Sequence, residues 1–250
     1  MSQKAVIDKV PRDRWEKAQH WERNHWVNAQ RSRARFFKNQ LWRFLSILGV
    51  VSKYRGDDCN EWWKNHFDDY RFLPPHIENA FEGGCGPYTN VRLILERTQI
   101  KHLVLSDPLI RSYAKFKLTF VADMYEKVAC VLDDHPLEDV PFASNTFDLT
   151  ILINVLDHVQ DAVKCMENLV RITKPGGIMI VGQELTNEQD LSKIESDPGR
   201  VGHPITVDEA WFEQFLEGKF SPIIRKVIPR HEGRGPEHHY GTLVFAGRKL

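Results

Sequence analysis

Cysteine is scarce. Its four residues, Cys59, Cys85, Cys130 and Cys165, lie far apart in a chain of 250 and form no C-x-x-C pair. That spacing argues against a disulfide framework or a zinc ribbon and suits a reducing compartment, so a cytoplasmic setting is expected. Long apolar runs are missing too. The most apolar early stretch, Leu41 to Val51, is about eleven residues and contains Arg43, whereas a membrane span needs roughly twenty. The opening Met-Ser-Gln-Lys-Ala carries no apolar segment, so no secretory leader is expected. Low-complexity tracts and internal repeats are absent. With 42% hydrophobic and 27% charged residues, the composition is neither that of a disordered tail nor that of a fibrous array. Net charge is zero, from 34 basic and 34 acidic side chains. The balance conceals an asymmetry, because residues 1–55 hold 13 basic and 4 acidic side chains. Such a segment either meets an anion or docks on an acidic body.

The length suits one domain with a helical appendage. Residues 12–50 read helical: Trp15, Ala18, Trp21 or Glu22, Trp26 and Ala29, then Phe36, Phe37, Leu41, Phe44, Leu45 and Leu48, recur at threes and fours. A short helix is expected over Glu61–Phe67, and Pro74-Pro75 closes the region. Beyond Pro75, short apolar runs alternate with helical stretches. Strands are expected at 77–81, 102–105, 128–132, 147–153 and 178–181, with helices at 88–97, 108–116 and 155–172. This alternation predicts an α/β fold, an open and mostly parallel Rossmann-like sheet with helices on both faces. The tail predicts a helix over 206–217 and a final antiparallel hairpin from strands at 221–228 and 242–246. The expected division is a basic, Trp-rich helical cap over residues 1–60 and a sheet domain over 61–250.

A glycine loop, Glu82-Gly83-Gly84-Cys85-Gly86-Pro87, follows the first strand. Glycine there lets the backbone turn and approach a ligand with no Cβ in the way. Thr89 stands where a dinucleotide-binding loop has its third glycine, and the Gly-Lys-Ser/Thr of a phosphate P-loop is missing. Glu82 at a strand tip would repel a pyrophosphate and suits a cationic or hydroxyl-rich ligand. The second strand ends at Asp107-Pro108, where an acid can accept ribose hydroxyls and also cap a helix that Pro108 opens. Then come Leu137-Glu138-Asp139-Val140-Pro141-Phe142, Asn145-Thr146-Phe147-Asp148-Leu149, Asn154-Val155-Leu156-Asp157-His158-Val159 and Lys174-Pro175-Gly176-Gly177.

Taken in this order and spacing, these segments resemble the class I S-adenosylmethionine-dependent methyltransferases, in the branch that acts on small molecules and glycans. The resemblance covers roughly residues 62–250. It implies a seven-stranded sheet and S-adenosyl-L-methionine as cofactor. By position it implies that Gly84 and Gly86, with Glu82, Gly83 and Cys85, hold the methionine part. Asp107 and Pro108 then meet the ribose, Leu137 and Glu138 flank the adenine, and Asn154 and Val155 lie beside the sulfonium. Two departures stand out. Tyr88 replaces a third glycine of the family's loop, and Pro136 stands where an acid often precedes the adenine strip, which Asp133 or Asp134 replaces only if the loop carries an insertion.

A hydroxyl acceptor is a poor nucleophile at neutral pH, so a base is expected. His158, one turn past Asn154, and His203, in the segment after the fifth strand, are the candidates, with Asp157 to orient or replace them. His231, His238 and His239 gather with Arg230 and Arg234 in the tail and either bind an anionic acceptor or form a plain polar loop. No ligand spacing there is diagnostic of a metal, and none is expected. Trp15, Trp21, Trp26, Trp42, Trp62 and Trp63 are either core or a stacking surface for sugars, and arginines pair with phosphate. The expected reaction is O-methylation of a carbohydrate-type or other small-molecule acceptor, phosphorylated ones included. The alternatives are a nucleic-acid (tRNA) methyltransferase, against which the zero net charge and the lack of an RNA-binding module weigh, and a cofactor-binding protein without catalysis. Oligomeric state is not legible.

Overall fold

The computed structural model describes residues 6–31, 41, 44, 45, 48, 59–115, 130–195 and 197–250. Seven strands make one sheet in the order β3-β2-β1-β4-β5-β7-β6. They are β1 (His76–Gly83), β2 (Gln99–Ser106), β3 (Cys130–Asp133), β4 (Phe147–Ile153), β5 (Thr173–Leu185), β6 (Phe220–Pro229) and β7 (Gly241–Lys249). The pairings β1–β2, β1–β4, β2–β3 and β4–β5 are parallel. The closing hairpin is antiparallel, with β7 inserted between β5 and β6. The mostly parallel α/β sheet with its final hairpin is therefore as the sequence predicts. The helices are α1 (Arg12–Arg31), α2 (Asn60–His66), α3 (Val91–Ile94), α4 (Ile110–Tyr113), α5 (Ala162–Ile172), α6 (Glu188–Glu195) and α7 (Glu209–Leu216).

The sheet core follows from strand periodicity. Strand β4, Phe-Asp-Leu-Thr-Ile-Leu-Ile, is apolar on both faces, as a central parallel strand requires. Leu149, Ile151 and Ile153 join Trp63, Phe67, Ile94 and Ile110 in one layer, while Phe147 and Leu152 join Met166, Phe212 and Phe245 in the other. Successive parallel strands leave their C-terminal ends along one edge. The order in which strands are added reverses between β1 and β4, which run parallel, and a crevice opens there.

Three expected helices differ from the prediction. The stretch expected over 155–172 is broken: a 3-10 turn, Leu156–His158, is followed by extended backbone, and α5 begins only at Ala162. The break has a cause. Glu138 Oε1 accepts the N–H groups of Gln160 and Asp161 at 2.8 and 3.0 Å. Residues 8–10 add Val10 N–H to Gln160 O and Ala162 N–H to Asp8 O. Asp161 then caps α5 by accepting from Lys164 N at 3.0 Å. These long-range partners replace helical ones. Of the helices expected over 88–97 and 108–116, single α-helical turns form, α3 and α4.

Helix α1 crosses the mouth of the crevice. Both guanidinium nitrogens of Arg14 donate to the carbonyls of Arg200 and Val201, at 2.6 and 2.7 Å. Gln19 Nε2 donates to the His158 carbonyl at 3.2 Å. Ahead of α1, Ile7 bridges to Thr206 and Lys9 to Asp161. The remainder of the helix expected to residue 50, Trp42 included, lies outside the described residues save Leu41, Phe44, Leu45 and Leu48, as does the start of the strand expected at Val128.

Candidate active site

The crevice is a cavity of about 360 Å³ at the C-terminal ends of β1, β2 and β4. Its floor is the glycine loop. Gly84 has φ +60°, and a Cβ there would fall 2.3 Å from Val155 Cγ1, so only glycine lets the loop lie against the β4 turn. Gly86, with φ +55°, has open space where its Cβ would stand, and its N–H donates to Asp107 Oδ2 at 3.1 Å. The loop is thereby tied to the neighbouring strand tip.

The two strand-tip acids have separate environments. Glu82 does not line the cavity. It is 1% exposed, and its carboxylate accepts from the Thr89 hydroxyl, from Asn90 N at 2.8 Å and from Asn90 Nδ2 at 3.2 Å. Burial raises its pKa against the pull of these donors. It holds the loop from below, behind the cavity wall. Gly83 is likewise behind the wall, packed against Leu137. Asp107 does line the cavity. Its Oδ1 accepts from Leu109 N at 2.8 Å, just ahead of α4, and burial raises its pKa to about 6 against the N–H donors of Leu109 and Gly86.

Cys85, Gly84, Gly86, Pro108, Leu137, Glu138, Asn154 and Val155 share the wall with Asp107, as the sequence places them. Asn154 sits at φ +58°, an uncommon conformation outside glycine, and its buried Oδ1 has no hydrogen-bond partner among the described residues. Asp133 and Asp134 are occupied elsewhere. The first accepts from Ser106 Oγ and His135, the second pairs with Arg111, and neither lines the cavity. Tyr88 does not fill the crevice; it lines the wall with its ring 5.5 Å from that of Trp26, edge to face.

The other end of the cavity carries the three candidate catalytic residues together. His158 and His203 line it, with ring centroids 4.4 Å apart. Asp157 lies behind them, its Oδ2 3.7 Å from His158 Nε2 and 3.8 Å from His203 Nε2. Each Nδ1 faces a backbone carbonyl, Gly202 O at 3.0 Å and Gly199 O at 2.8 Å. A carbonyl only accepts, so both imidazoles hold their proton on Nδ1 and turn Nε2 toward Asp157. The carbonyls are set by the 3-10 turn Pro198–Val201, which Asp197 caps through Gly199 N at 2.6 Å. On Asp157, burial is outweighed by the two imidazoles and the Gln183 amide, and the carboxyl falls to about 2. On His158, burial is outweighed by Asp157 and Glu22, and its pKa rises.

Two residues that hold or line the site were not singled out by sequence. Gln183, 2% exposed on β5, accepts Val155 N and Leu156 N on Oε1 and donates from Nε2 to Asp157 Oδ1 at 3.3 Å. Glu22 on α1 lines the cavity and accepts from Trp26 Nε1. Of the expected tryptophans, Trp15, Trp21, Trp26 and Trp63 line it. In the tail cluster, Arg230 is held by the buried Asp190 at 2.8 and 2.9 Å, His239 faces Glu184 and His238 faces Asp197. Only Arg234 of that cluster reaches the cavity, over the Trp63 ring.

Residues 81–181 match the family model described as a methyltransferase domain. Among solved structures, the N-methyltransferase NodS from Bradyrhizobium japonicum WM9, in complex with S-adenosyl-L-homocysteine, aligns with a TM-score of 0.56 at 15% identity, over 78% of this chain and 89% of that one. A 1,6-didemethyltoxoflavin-N1-methyltransferase from Burkholderia thailandensis aligns with a TM-score of 0.58 at 12% identity, over 98% and 94%. A geranyl diphosphate methyltransferase in complex with S-adenosylmethionine aligns with a TM-score of 0.58 at 12% identity, over 76% and 85%. At these identities the likeness is one of fold. No curated protein sequence matches the chain. The domain match and the fold are those of class I S-adenosylmethionine-dependent methyltransferases, and the cofactor such a domain implies is S-adenosylmethionine. The residues present fit that group: the Asp107 carboxyl lines the cavity at a strand tip, space is open above Gly86, and the buried amide oxygen of Asn154 has no partner among the described residues. Among the described residues, no helix is long and apolar enough to cross a membrane.

Proposed function

We propose that the chain, built on this methyltransferase domain, is an enzyme that methylates an oxygen of a small-molecule, carbohydrate-type acceptor. One observation carries the reading: a single cavity has the glycine loop and Asp107 at one end and the Asp157–His158–His203 cluster, faced by the tryptophans of α1, at the other.

When bound, S-adenosylmethionine supplies an electrophilic methyl group on sulfur. The rest is done by this chain. Asp107 accepts the ribose hydroxyls, Gly84 and Gly86 admit the methionine part, Leu137 and Glu138 flank the adenine, and Asn154 and Val155 stand beside the sulfur. Glu82 keeps the loop shaped. His158 and His203 stand as the bases for the proton of an acceptor hydroxyl, once an Nε2 turns from Asp157 to the acceptor, and Asp157 orients the pair. Trp15, Trp21 and Trp26 exclude water and offer ring faces to an acceptor of sugar type. A cytoplasmic setting belongs to the same reading, since four widely spaced cysteines with no C-x-x-C pair suit a reducing compartment.

The division into a helical cap over residues 1–60 and a catalytic domain over 61–250 belongs to the same reading, with α1 as the part of the cap that meets the acceptor. The test is twofold. Calorimetry with S-adenosylhomocysteine should give saturable binding that Asp107→Ala weakens more than about tenfold, as loss of a hydrogen bond to a charged acceptor predicts. An acceptor screen that follows release of the demethylated nucleoside should then find turnover that His203→Ala abolishes while nucleoside affinity persists. Unchanged affinity in Asp107→Ala, or full turnover in both His158→Ala and His203→Ala, would refute these assignments.

A further inference from the structure

We propose that Asp157, His158 and His203 form a binding site for one divalent first-row transition-metal ion, facing the acceptor end of the cavity. The inference rests on the methyltransferase reading for what the ion does there, and on geometry alone for the site itself.

One ligand atom from each of the three residues lies within 4.8 Å of the other two. The Asp157 Oδ2 contacts, 3.7 and 3.8 Å, are too long for hydrogen bonds. They are close to the separation of about 3.4 Å between neighbouring ligands in a tetrahedral site with bonds of about 2.1 Å. Small rotations of side chains would close the difference.

The surroundings are those of a metal site. A metal-bound histidine donates its other ring N–H to a carbonyl or carboxylate, which fixes its tautomer. Here both Nδ1–H groups are taken by carbonyls, those of Gly202 and Gly199, so both Nε2 lone pairs are left for a ligand. Asp157 is oriented in turn. Its Oδ1 accepts from Gln183, whose own Oε1 is held by two backbone amides of the turn that carries Asp157. Three elements distant in sequence, the 156–158 turn, β5 and the 198–203 segment, are needed to bring this about. Two imidazoles and one carboxylate are also the donor set that first-row divalent ions favour over Mg²⁺ or Ca²⁺. Asp157 is largely buried, at 13% side-chain exposure, while the histidines face the cavity, so the open coordination positions point to where the acceptor lies.

An ion held there would polarise an acceptor hydroxyl. With both Nε2 atoms on the ion, the histidines serve as ligands in place of the bases assigned above: the hydroxyl proton passes to water, the oxygen forms its bond to the methyl carbon, and the S–CH3 bond breaks with its electron pair remaining on sulfur. No oxidant or reductant is needed. Gln183 is a positioning residue in this scheme.

The test uses the full chain, freed of metal by chelation and titrated with Co²⁺. The expected result is one Co²⁺ per chain, with visible d–d bands and no thiolate charge-transfer band. His203→Ala and Asp157→Asn should weaken it about 100-fold or more, and Gln183→Leu by about 10–100-fold. S-adenosylhomocysteine binding, measured on the same samples, reports that each variant is folded. Wild-type protein that binds the nucleoside but takes up no Co²⁺ overturns the proposal, as does uptake that is equal in His203→Ala and Asp157→Asn. Co²⁺ uptake that the variants abolish, in a chain that never binds the nucleoside, supports the metal site and overturns the methyltransferase reading instead.

Discussion

Glu82 and Asp107 stand at adjacent strand tips, yet burial assigns them different work. Glu82 is enclosed by N–H and O–H donors of residues 89–91, so Glu82→Ala leaves those donors without a partner in the interior. Unfolding in urea should register a loss of about 2–4 kcal/mol. Asp107 faces the cavity with a pKa of about 6, while an unfolded aspartate titrates near 3.9. Its folded value is raised, so the stability it contributes is present below about pH 4 and is lost as pH rises through 6. Nucleoside binding runs the other way, because the ionised carboxylate is the better acceptor of ribose hydroxyls. Glu22, His158, Cys85 and Tyr113 are the titratable groups that face it. Affinity for S-adenosylhomocysteine should therefore increase through pH 6, and Asp107→Asn should flatten that dependence. Calorimetry between pH 5 and 8 measures both.

The break between the 156–158 turn and α5 shows how an element is shaped from outside its own sequence. Glu138 reaches across from the turn after β3 to take two backbone N–H groups of that break. Glu138→Ala should cost about 1–3 kcal/mol in thermal or urea unfolding and should lower nucleoside affinity, because Leu137 and Glu138 share the cavity wall. Strand-tip residues were legible in sequence because they are local: the glycine loop, Asp107-Pro108, Leu137-Glu138 and Asn154-Val155 each follow a strand directly. Locality does not tell which way a strand-tip carboxylate turns, and Glu82 turns beneath the loop rather than into the cavity. Gln183 was illegible for a different reason. In a strand it reads as one more buried position, and its role exists only because the turn at 155–157 folds back over it. Glu22 likewise looks like a polar position on an amphipathic helix until α1 is laid across the crevice. The tail histidines and arginines, conspicuous in sequence, are mostly taken up by ion pairs with Asp190, Asp197 and Glu184.

At the scale of the molecule, the basic leader does not present a free cationic face in the part described. Arg14 holds carbonyls of the 200–201 turn, and the tryptophans of α1 look into a confined cavity. A small acceptor should accordingly bind with little dependence on salt between 50 and 200 mM, where a polyanion making many phosphate contacts would lose about 10³–10⁵ in affinity. Trp21→Ala should raise the acceptor KM at least tenfold and leave the nucleoside Kd within about twofold, since Trp21 packs edge-on to His203 rather than on the glycine loop. Steady-state kinetics with calorimetry on the same variant measures both.

The bond from Gln19 to the His158 carbonyl joins two regions with different histories open to them. The proposed nucleoside berth is made mainly by loops of the sheet, while Trp15, Gln19, Trp21, Glu22, His25 and Trp26 of α1 supply much of the opposite wall. Descendants of such a chain can change what they modify by altering that one helix, and keep intact the machinery that recognises the methyl donor.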